Sequence, residues 1–446
     1  MSEPIISVSG LRGVVGESLT PLVAIRYATA LAQVAPPGPL VLTRDGRATG
    51  AALADCIRGA LIAGGRDVID AGIAATPTSG VLVRQFSAAG GIQISASHNP
   101  PDYNGLKLFS HQGRVVPAAL GEKVGAVYRG GQPAWSRHEG FGQALPCHSP
   151  IRRHLELVLA TVDVEGIRRR RFKVLLDSNH GAGSLLGGEL LAALGCQIEL
   201  LGGEPDGCFE HPPEPTAENL VDVAFQIQKS GADIGFCQDP DADRLAIIDE
   251  TGRYIGEEYT LALCVKHVLS GRPGAVVTNC STSRMTQDMA ADLGVPFFSS
   301  AVGEANVVDK MCAEQAVLGG EGNGGVIDPR VGYVRDSFAG MALVLDALAS
   351  RRLPISQLAE ELPRYEIVKT KITLPGERVA AALAALEKHF SAARADRLDG
   401  LRLDWPDKWL LVRASNTEPI VRAIAEARTL AEAQRLCDEA AMVLSH

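Results

Sequence analysis

LVLTRDGRATGAALADCIRGALIAGGRDVID (residues 40–70) holds one complete building block of this chain. Residues 40–42 are a short apolar run that reads as a strand. Residues 43–50 form a polar loop, a helical pattern runs through Ala63 to the breakers Gly64-Gly65, and residues 67–70 read as a second strand. The same order of parts recurs. A strand at 174–176 leads into Asp177-Ser178-Asn179-His180-Gly181-Ala182-Gly183, a helix to Leu194-Gly195 and a strand at 197–201. A strand at 275–278 leads into Asn279-Cys280-Ser281-Thr282-Ser283, a helix to Leu293-Gly294 and a strand at 296–299. Three copies of strand, polar loop, helix, glycine and strand predict three related α/β domains.

Beyond Pro363 the texture changes. Residues 366–374 alternate like a strand, and a helix is expected over about 377–393. Strands follow at 401–403, 409–413 and 420–425, and Thr429-Leu430-Ala431-Glu432 is a capping box that opens a last helix. The fold class is therefore α/β, with three related α/β domains and a C-terminal α+β domain with an antiparallel sheet. The expected domains are 1–148, 149–249, 250–364 and 365–446.

Composition bounds the function. Of 446 residues, 46% are hydrophobic and 21% charged, enough for packed cores. The net charge of −9 argues against a nucleic-acid binder held by a general positive field. Nine scattered cysteines, none in a CxxC pair, fit buried thiols in a reducing compartment. The basic run 168–171 reads as a solvated edge before a strand. The first residues, MSEPIISVSG, lack a basic-then-apolar signal, and no uncharged apolar run is long enough to span a membrane. The expectation is a cytoplasmic protein with neither membrane nor nucleic acid as partner.

Four segments carry chemistry. In GIQISASHNPPDYNGLKLF (91–109), a strand ends in a sharp polar turn, Ser95-Ala96-Ser97-His98-Asn99, before Pro100-Pro101. Such a turn can bring the Ser97 hydroxyl close to a ligand, with His98 and Asn99 beside it, although Ser, Asn and Pro are common in any turn. The opening stretch sets Arg12 between two glycines, on backbone able to turn tightly and approach a ligand.

Cys237-Gln238-Asp239-Pro240-Asp241-Ala242-Asp243-Arg244 carries three carboxylates at alternate positions, able to converge on one hard cation. With Glu250 they match the first, third, fifth and twelfth positions of an EF-hand loop. The sixth position, where that loop needs glycine, is Arg244, and the flanks read as strands. A Mg²⁺ loop beside a phosphate fits better, with Arg244 suited to a phosphate oxygen.

Gly319-Gly320-Glu321-Gly322-Asn323-Gly324-Gly325 carries a carboxylate and an amide, which suit sugar hydroxyls; a flexible surface turn is the plainer alternative. Arg413-Ala414-Ser415-Asn416-Thr417-Glu418-Pro419, with Arg422 shortly after, offers a guanidinium fork, hydroxyls, an amide and turn N–H groups. Those groups suit a phosphate cradle.

Together these segments resemble the α-D-phosphohexomutase family of phosphoglucomutases, phosphomannomutases and phosphoglucosamine mutases. The matching motifs run in order along nearly the whole chain: SGLRG at 9–13, SASHNP at 95–100, NGLK at 104–107, DPDADR at 239–244, GEGNGG at 320–325 and RASNTEP at 413–419. The resemblance implies four domains around a central active-site cleft and one Mg²⁺ ion. It makes Ser97 the phosphoserine, with Asp239, Asp241, Asp243 and a phosphoserine oxygen as metal ligands. Arg12, His98 and Lys107 would surround the transferring group. Glu321 and Asn323 would hold sugar hydroxyls, and Arg413, Ser415, Asn416, Thr417 and Arg422 the phosphate that does not react.

The activity it implies is interconversion of hexose 1-phosphate and hexose 6-phosphate through a hexose 1,6-bisphosphate. Sugar phosphates would be the partners, and the chain a monomer or homodimer. Many members carry a serine and a histidine where this chain has Asn323 and Gly325. Glu304, in Val302-Gly303-Glu304, or Lys107 is then expected to help move the proton. The glycine-rich loop is closer to archaeal-type phosphoglucosamine and phosphomanno/phosphogluco mutases, which favours glucosamine phosphate. A phosphoserine-dependent sugar-phosphate phosphatase and a non-catalytic sensor are the competing functions. Release of phosphate would mark the first; the intact serine, metal loop and phosphate cradle argue against the second, since a sensor could lose Ser97.

Overall fold

The structure, a computed structural model, describes residues 3–7, 10–414 and 420–445. The three copies share one topology. In the first, Leu40–Arg44 is central, with Val68–Ile73 and Gly90–Ile94 parallel on either side, and Tyr103–Ser110 antiparallel beyond the latter. In the second, the same places are taken by Lys173–Asp177, Gln197–Leu201, Ile234–Gln238 and Leu245–Asp249. In the third they are taken by Val276–Asn279, Phe297–Ser300, Leu318–Glu321 and Gly325–Ile327.

Local chemistry repeats with the topology. Asp45, Asp177 and Asn279 close the three central strands or begin the turn after them. Each accepts a hydrogen bond from the N–H two residues on, at 2.9, 3.0 and 2.9 Å. This side-chain turn replaces the ladder bond lost where the strand stops. The first sheet is widened to seven strands by Gly10–Val14, Ile5–Ser7 and Ala144–Pro146.

The fourth sheet is antiparallel, in the order Glu366–Thr373, Ile420–Ala427, Trp409–Ala414, Leu401–Asp404, Arg394–Asp396. The helix expected to reach residue 393 is Gly376–His389. It stops with Lys388 and His389 in its last turn, and the chain then forms an edge strand the sequence pattern had not signalled. The capping box of the last helix forms, with the Glu432 N–H 3.3 Å from Thr429 Oγ1.

One continuous apolar core joins the second and third copies. Its centre is the helix Ser337–Arg351, whose Phe338, Met341, Leu345 and Leu348 are at most 1% exposed. This buried helix is near-continuously apolar, so it lacks the one-sided stripe of a surface helix. The two copies are therefore held as one body, which fixes the loops they contribute to the site. No helix among the described residues is long and apolar enough to cross a membrane.

Candidate active site

The serine turn (95–102), the aspartate loop (239–244) and the turn at 322–324 occupy one topological place. Each connects the third strand of its copy to the antiparallel fourth. Ligands in open α/β sheets collect at strand C-terminal ends, and here three such ends meet.

Ser97 is fully buried, and its backbone is left-handed at φ 51°. A non-glycine residue there is strained and must be held by its surroundings. The Ser97 N–H donates to Ser95 Oγ at 2.9 Å, and Ser95 Oγ donates to Asp45 Oδ2 at 2.6 Å. Arg47, 2% exposed, donates to the carbonyl oxygens of Ser97, Asn99, Pro100 and Tyr103 at 2.8, 2.5, 2.7 and 2.9 Å. Its guanidinium also stacks over the Phe209 ring, from the second copy, at 5.1 Å. Arg47 was not picked out from the sequence, because one arginine in a polar loop carries no signal of what it will hold.

The Ser97 hydroxyl donates to Asp239 Oδ2 at 2.7 Å and lies 3.3 Å from His98 Nδ1. Burial, then the charges of Arg244 and Arg12, hold the His98 imidazole far below its usual range, so it is neutral at pH 7. Arg12 donates to Asn99 Oδ1 at 3.2 Å. It sits within the extended strand Gly10–Val14. Its flanking Gly13 serves packing: a Cβ there would stand 3.1 Å from Leu19 Cβ.

Asp239, Asp241 and Asp243 are all fully buried, with one oxygen of each within 4.8 Å of the others. Asp239 Oδ1 accepts from the N–H groups of Asp243 and Arg244, both at 3.1 Å. Lys107 bridges Asp241 and Asp243, reaching Asp243 Oδ2 at 2.7 Å, and Thr76 also donates to Asp241. The Oδ1 atoms of Asp241 and Asp243 are buried without a hydrogen-bond partner among the described residues. Burial, and then the charges of Asp241 and Asp243, push the Asp239 carboxyl well above the usual range. Leaving such charge unpaired is costly, and a divalent cation satisfies both observations. The donor set fits Mg²⁺. Burial would lower the Lys107 ammonium, but Asp241 and Asp243 outweigh it and raise it.

Glu321 ends the strand Leu318–Glu321 and is 4% exposed. Its Oε1 accepts from Asn279 Nδ2 at 2.7 Å and the Gly303 N–H at 3.1 Å. The glycine run is thus buried strand and tight turn, not a flexible surface loop. Gly319 is needed because a Cβ there would lie 2.7 Å from Val277 O.

A cleft of about 480 Å³ opens beside these groups. His98, Glu321, Asn323, Arg413 and Arg422 line it, with Glu214, Glu258, Asn279, Lys369 and Lys371. Arg413 and Arg422 face each other across the antiparallel pair, and Arg422 opposes Lys371 on its other side. Arg244 lies 3.5 Å from Glu214 and 3.9 Å from Asp243. Ser415, Asn416 and Thr417 lie outside the described residues.

Glu304 begins the helix Glu304–Glu314 and is not part of the cleft lining. It accepts the Arg335 N–H at 2.7 Å, and burial, opposed by Arg335, raises its carboxyl to about 7. Arg335 is a residue the sequence reading missed, since VRDS has no motif character of its own.

The phosphoglucomutase/phosphomannomutase domain descriptions match the chain from end to end. The α/β/α domains I, II and III match residues 5–133, 152–252 and 257–365, and the C-terminal domain matches 369–443. The chain belongs to the phosphoglucomutase/phosphomannomutase family. A phosphoglucomutase/phosphomannomutase of Thermococcus kodakarensis is 36% identical over 429 residues, 94% of each chain. A probable phosphoglucosamine mutase of Methanopyrus kandleri is 32% identical, covering 97% of this chain and 95% of its own. A crystal structure of a phosphoglucomutase/phosphomannomutase family protein from Burkholderia thailandensis superposes with a TM-score of 0.86 at 28% identity. That match covers 99% of this chain and 98% of the other. In this family member, the three sheet-end loops and the arginine pair are therefore the candidate active site.

Proposed function

We propose that the protein interconverts hexose 1-phosphate and hexose 6-phosphate through a phosphoserine at Ser97 and a hexose 1,6-bisphosphate. The observation that carries this reading is the Ser97 hydroxyl, 2.7 Å from Asp239 in a carboxylate triad with two orphaned oxygens, beside an arginine-lined cleft.

The free hydroxyl oxygen of the sugar forms a bond to the phosphorus on Ser97 as the bond from phosphorus to Ser97 Oγ breaks. The bisphosphate turns over in the cleft. Ser97 Oγ then takes the other phosphoryl group, releasing the isomeric monophosphate. Asp239, Asp241 and Asp243, with a phosphoserine oxygen, would hold Mg²⁺, which when bound would neutralise charge on the transferring oxygens. Lys107, kept charged by Asp241 and Asp243, and Arg12 supply positive charge around the same group, while neutral His98 orients it. Lys107, or Glu304, which is raised to about 7 and lies behind the cleft on the Arg335 N–H, would take up the hydroxyl proton and return it. Glu321 and Asn323 hold the sugar, and Arg413 and Arg422, with Ser415, Asn416 and Thr417, hold the phosphate that is not reacting. Arg244 completes the phosphate surroundings.

Glucosamine phosphate is the favoured hexose, on the glycine-rich loop at 319–325. The Thermococcus relative keeps mannose and glucose phosphates as alternatives. The test is to supply Mg²⁺, a trace of bisphosphate and each 1-phosphate in turn, and follow 6-phosphate formation. Isomerisation of at least one is expected. Release of inorganic phosphate alone, or no reaction with any of them, overturns the reading.

A further inference from the structure

We propose that Arg335 is a positioning residue that locks the metal loop to the sugar loop, and that Gly325 exists to make room for it. The proposal rests on the function proposed above. Arg335 donates through one terminal nitrogen to Asp243 Oδ2 at 2.7 Å and through the other to Glu321 Oε2 at 2.6 Å. Its backbone N–H donates to Glu304 Oε1 at 2.7 Å, and its Nε lies 3.6 Å from Glu304 Oε2. One guanidinium thus touches a carboxylate from each of three segments: the aspartate loop, the third-copy turn and the helix that Glu304 begins. The side chain is 10% exposed, so these contacts are little screened by water. Burial would favour loss of its charge, but Asp243, Glu304 and Glu321 outweigh burial.

Gly325 lies directly against this side chain. A Cβ at position 325 would fall 2.9 Å from Arg335 Cγ and closer still to Cδ. Any larger residue at 325 would force the Arg335 side chain to shift from this position. The space beside Gly325 is filled by the Arg335 side chain, and an arginine keeps its charge near pH 7. Arg335 therefore orients the carboxylates, and proton movement falls to another group.

The fork geometry is what links the two loops: Asp243 cannot turn without loosening Glu321, and the reverse. Affinity for a divalent ion and affinity for the sugar phosphate then depend on the same side chain.

The test is made on full-length protein carrying Ser97→Ala, which stops turnover and lets binding be measured alone. Calorimetry gives dissociation constants for Mn²⁺ and for glucose 1,6-bisphosphate, before and after adding Arg335→Lys or Gly325→Ala. Lysine keeps the charge but lacks the planar fork with which Arg335 reaches Asp243 and Glu321 through separate nitrogens, and Gly325→Ala removes no charged group. Each is expected to weaken both ligands by about tenfold, the usual loss when a partner of a ligating group is removed. Thermal unfolding should stay cooperative. If both variants keep either constant within about twofold of the Ser97→Ala parent, Arg335 does not couple the loops and the proposal falls. If the parent binds Mn²⁺ but no bisphosphate, the functional reading itself fails, and with it this proposal.

Discussion

Ser97 and Asp239, 142 positions apart in the chain, are joined by a 2.7 Å hydrogen bond between two fully buried side chains. The hydroxyl is thereby aimed at the carboxylate triad before any phosphate is attached. Ser97→Ala is expected to abolish transfer of label from hexose 1,6-bisphosphate to the protein and to reduce isomerisation to background. The melting temperature should change little, because the loop is anchored by backbone contacts rather than by this hydroxyl. Labelled protein recovered from the variant would mean that another residue carries the phosphoryl group.

That anchoring makes Arg47 the next test. Its guanidinium holds four carbonyl oxygens of a loop whose central residue is in a strained conformation. Arg47→Met should lower stability by about 2–4 kcal/mol, because the buried Asp45 loses its ion-pair partner at 3.3 Å and the carbonyls lose their donor in a dry site. Beyond that, kcat should fall by about 100-fold with KM moving far less, since the phosphate cradle lies elsewhere. A KM-dominated change would place Arg47 in substrate binding instead.

Metal dependence follows from the orphaned oxygens of Asp241 and Asp243. Chelation should stop isomerisation, and returning Mg²⁺ should restore it. An independent check is thermal: free Mg²⁺ at about 100 times its dissociation constant should add about 2.7 kcal/mol to stability. Asp241→Asn should lose most of that gain. A melting curve indifferent to Mg²⁺ in the parent protein would remove the ion from the triad.

Much of this was readable from residue order, and the unreadable part has a common cause. The three strand–loop–helix units at 40–70, 174–201 and 275–299 are local patterns, and local patterns survive in sequence. The aspartate triad was equally visible, because its three carboxylates lie on one short loop. Arg47 and Arg335 were invisible, because each acts on segments remote in the chain: Arg47 on 97–103, and Arg335 on Asp243 and Glu304. The glycines flanking Arg12 allow tight turning, and the fold uses them for close packing in a strand. Glycine reports permissiveness without saying which use is made of it.

Glu304 carries a pH prediction. Burial, offset by Arg335, brings its carboxyl to about 7, so the free enzyme holds it half ionised near neutrality. The profile of kcat/KM should bend near that pH, and Glu304→Gln should remove the bend while lowering the plateau by about 100-fold. Turnover unchanged across pH in Glu304→Gln would exclude it from the proton's path.

Glu258 gives a pH dependence of stability that is independent of catalysis. It lies in the first turn of the helix Glu257–Gly271, lines the cleft, and accepts the Ser283 N–H at 2.9 Å. Burial, only partly offset by Lys369 and that N–H, pushes its carboxyl to about 8. In the unfolded chain it titrates at about 4.3. Between those values the folded protein holds a proton that the unfolded chain has released. Stability from this group is therefore complete below the lower value and is lost as pH rises through the upper one. Glu258→Gln keeps the shape of the side chain but has no proton to lose. Its melting temperature relative to the parent should rise from about pH 5 to about pH 8.5, the window set by the two values. A difference that stays flat across that range would show Glu258 to be ionised in the folded protein, paired with Lys369 across the cleft.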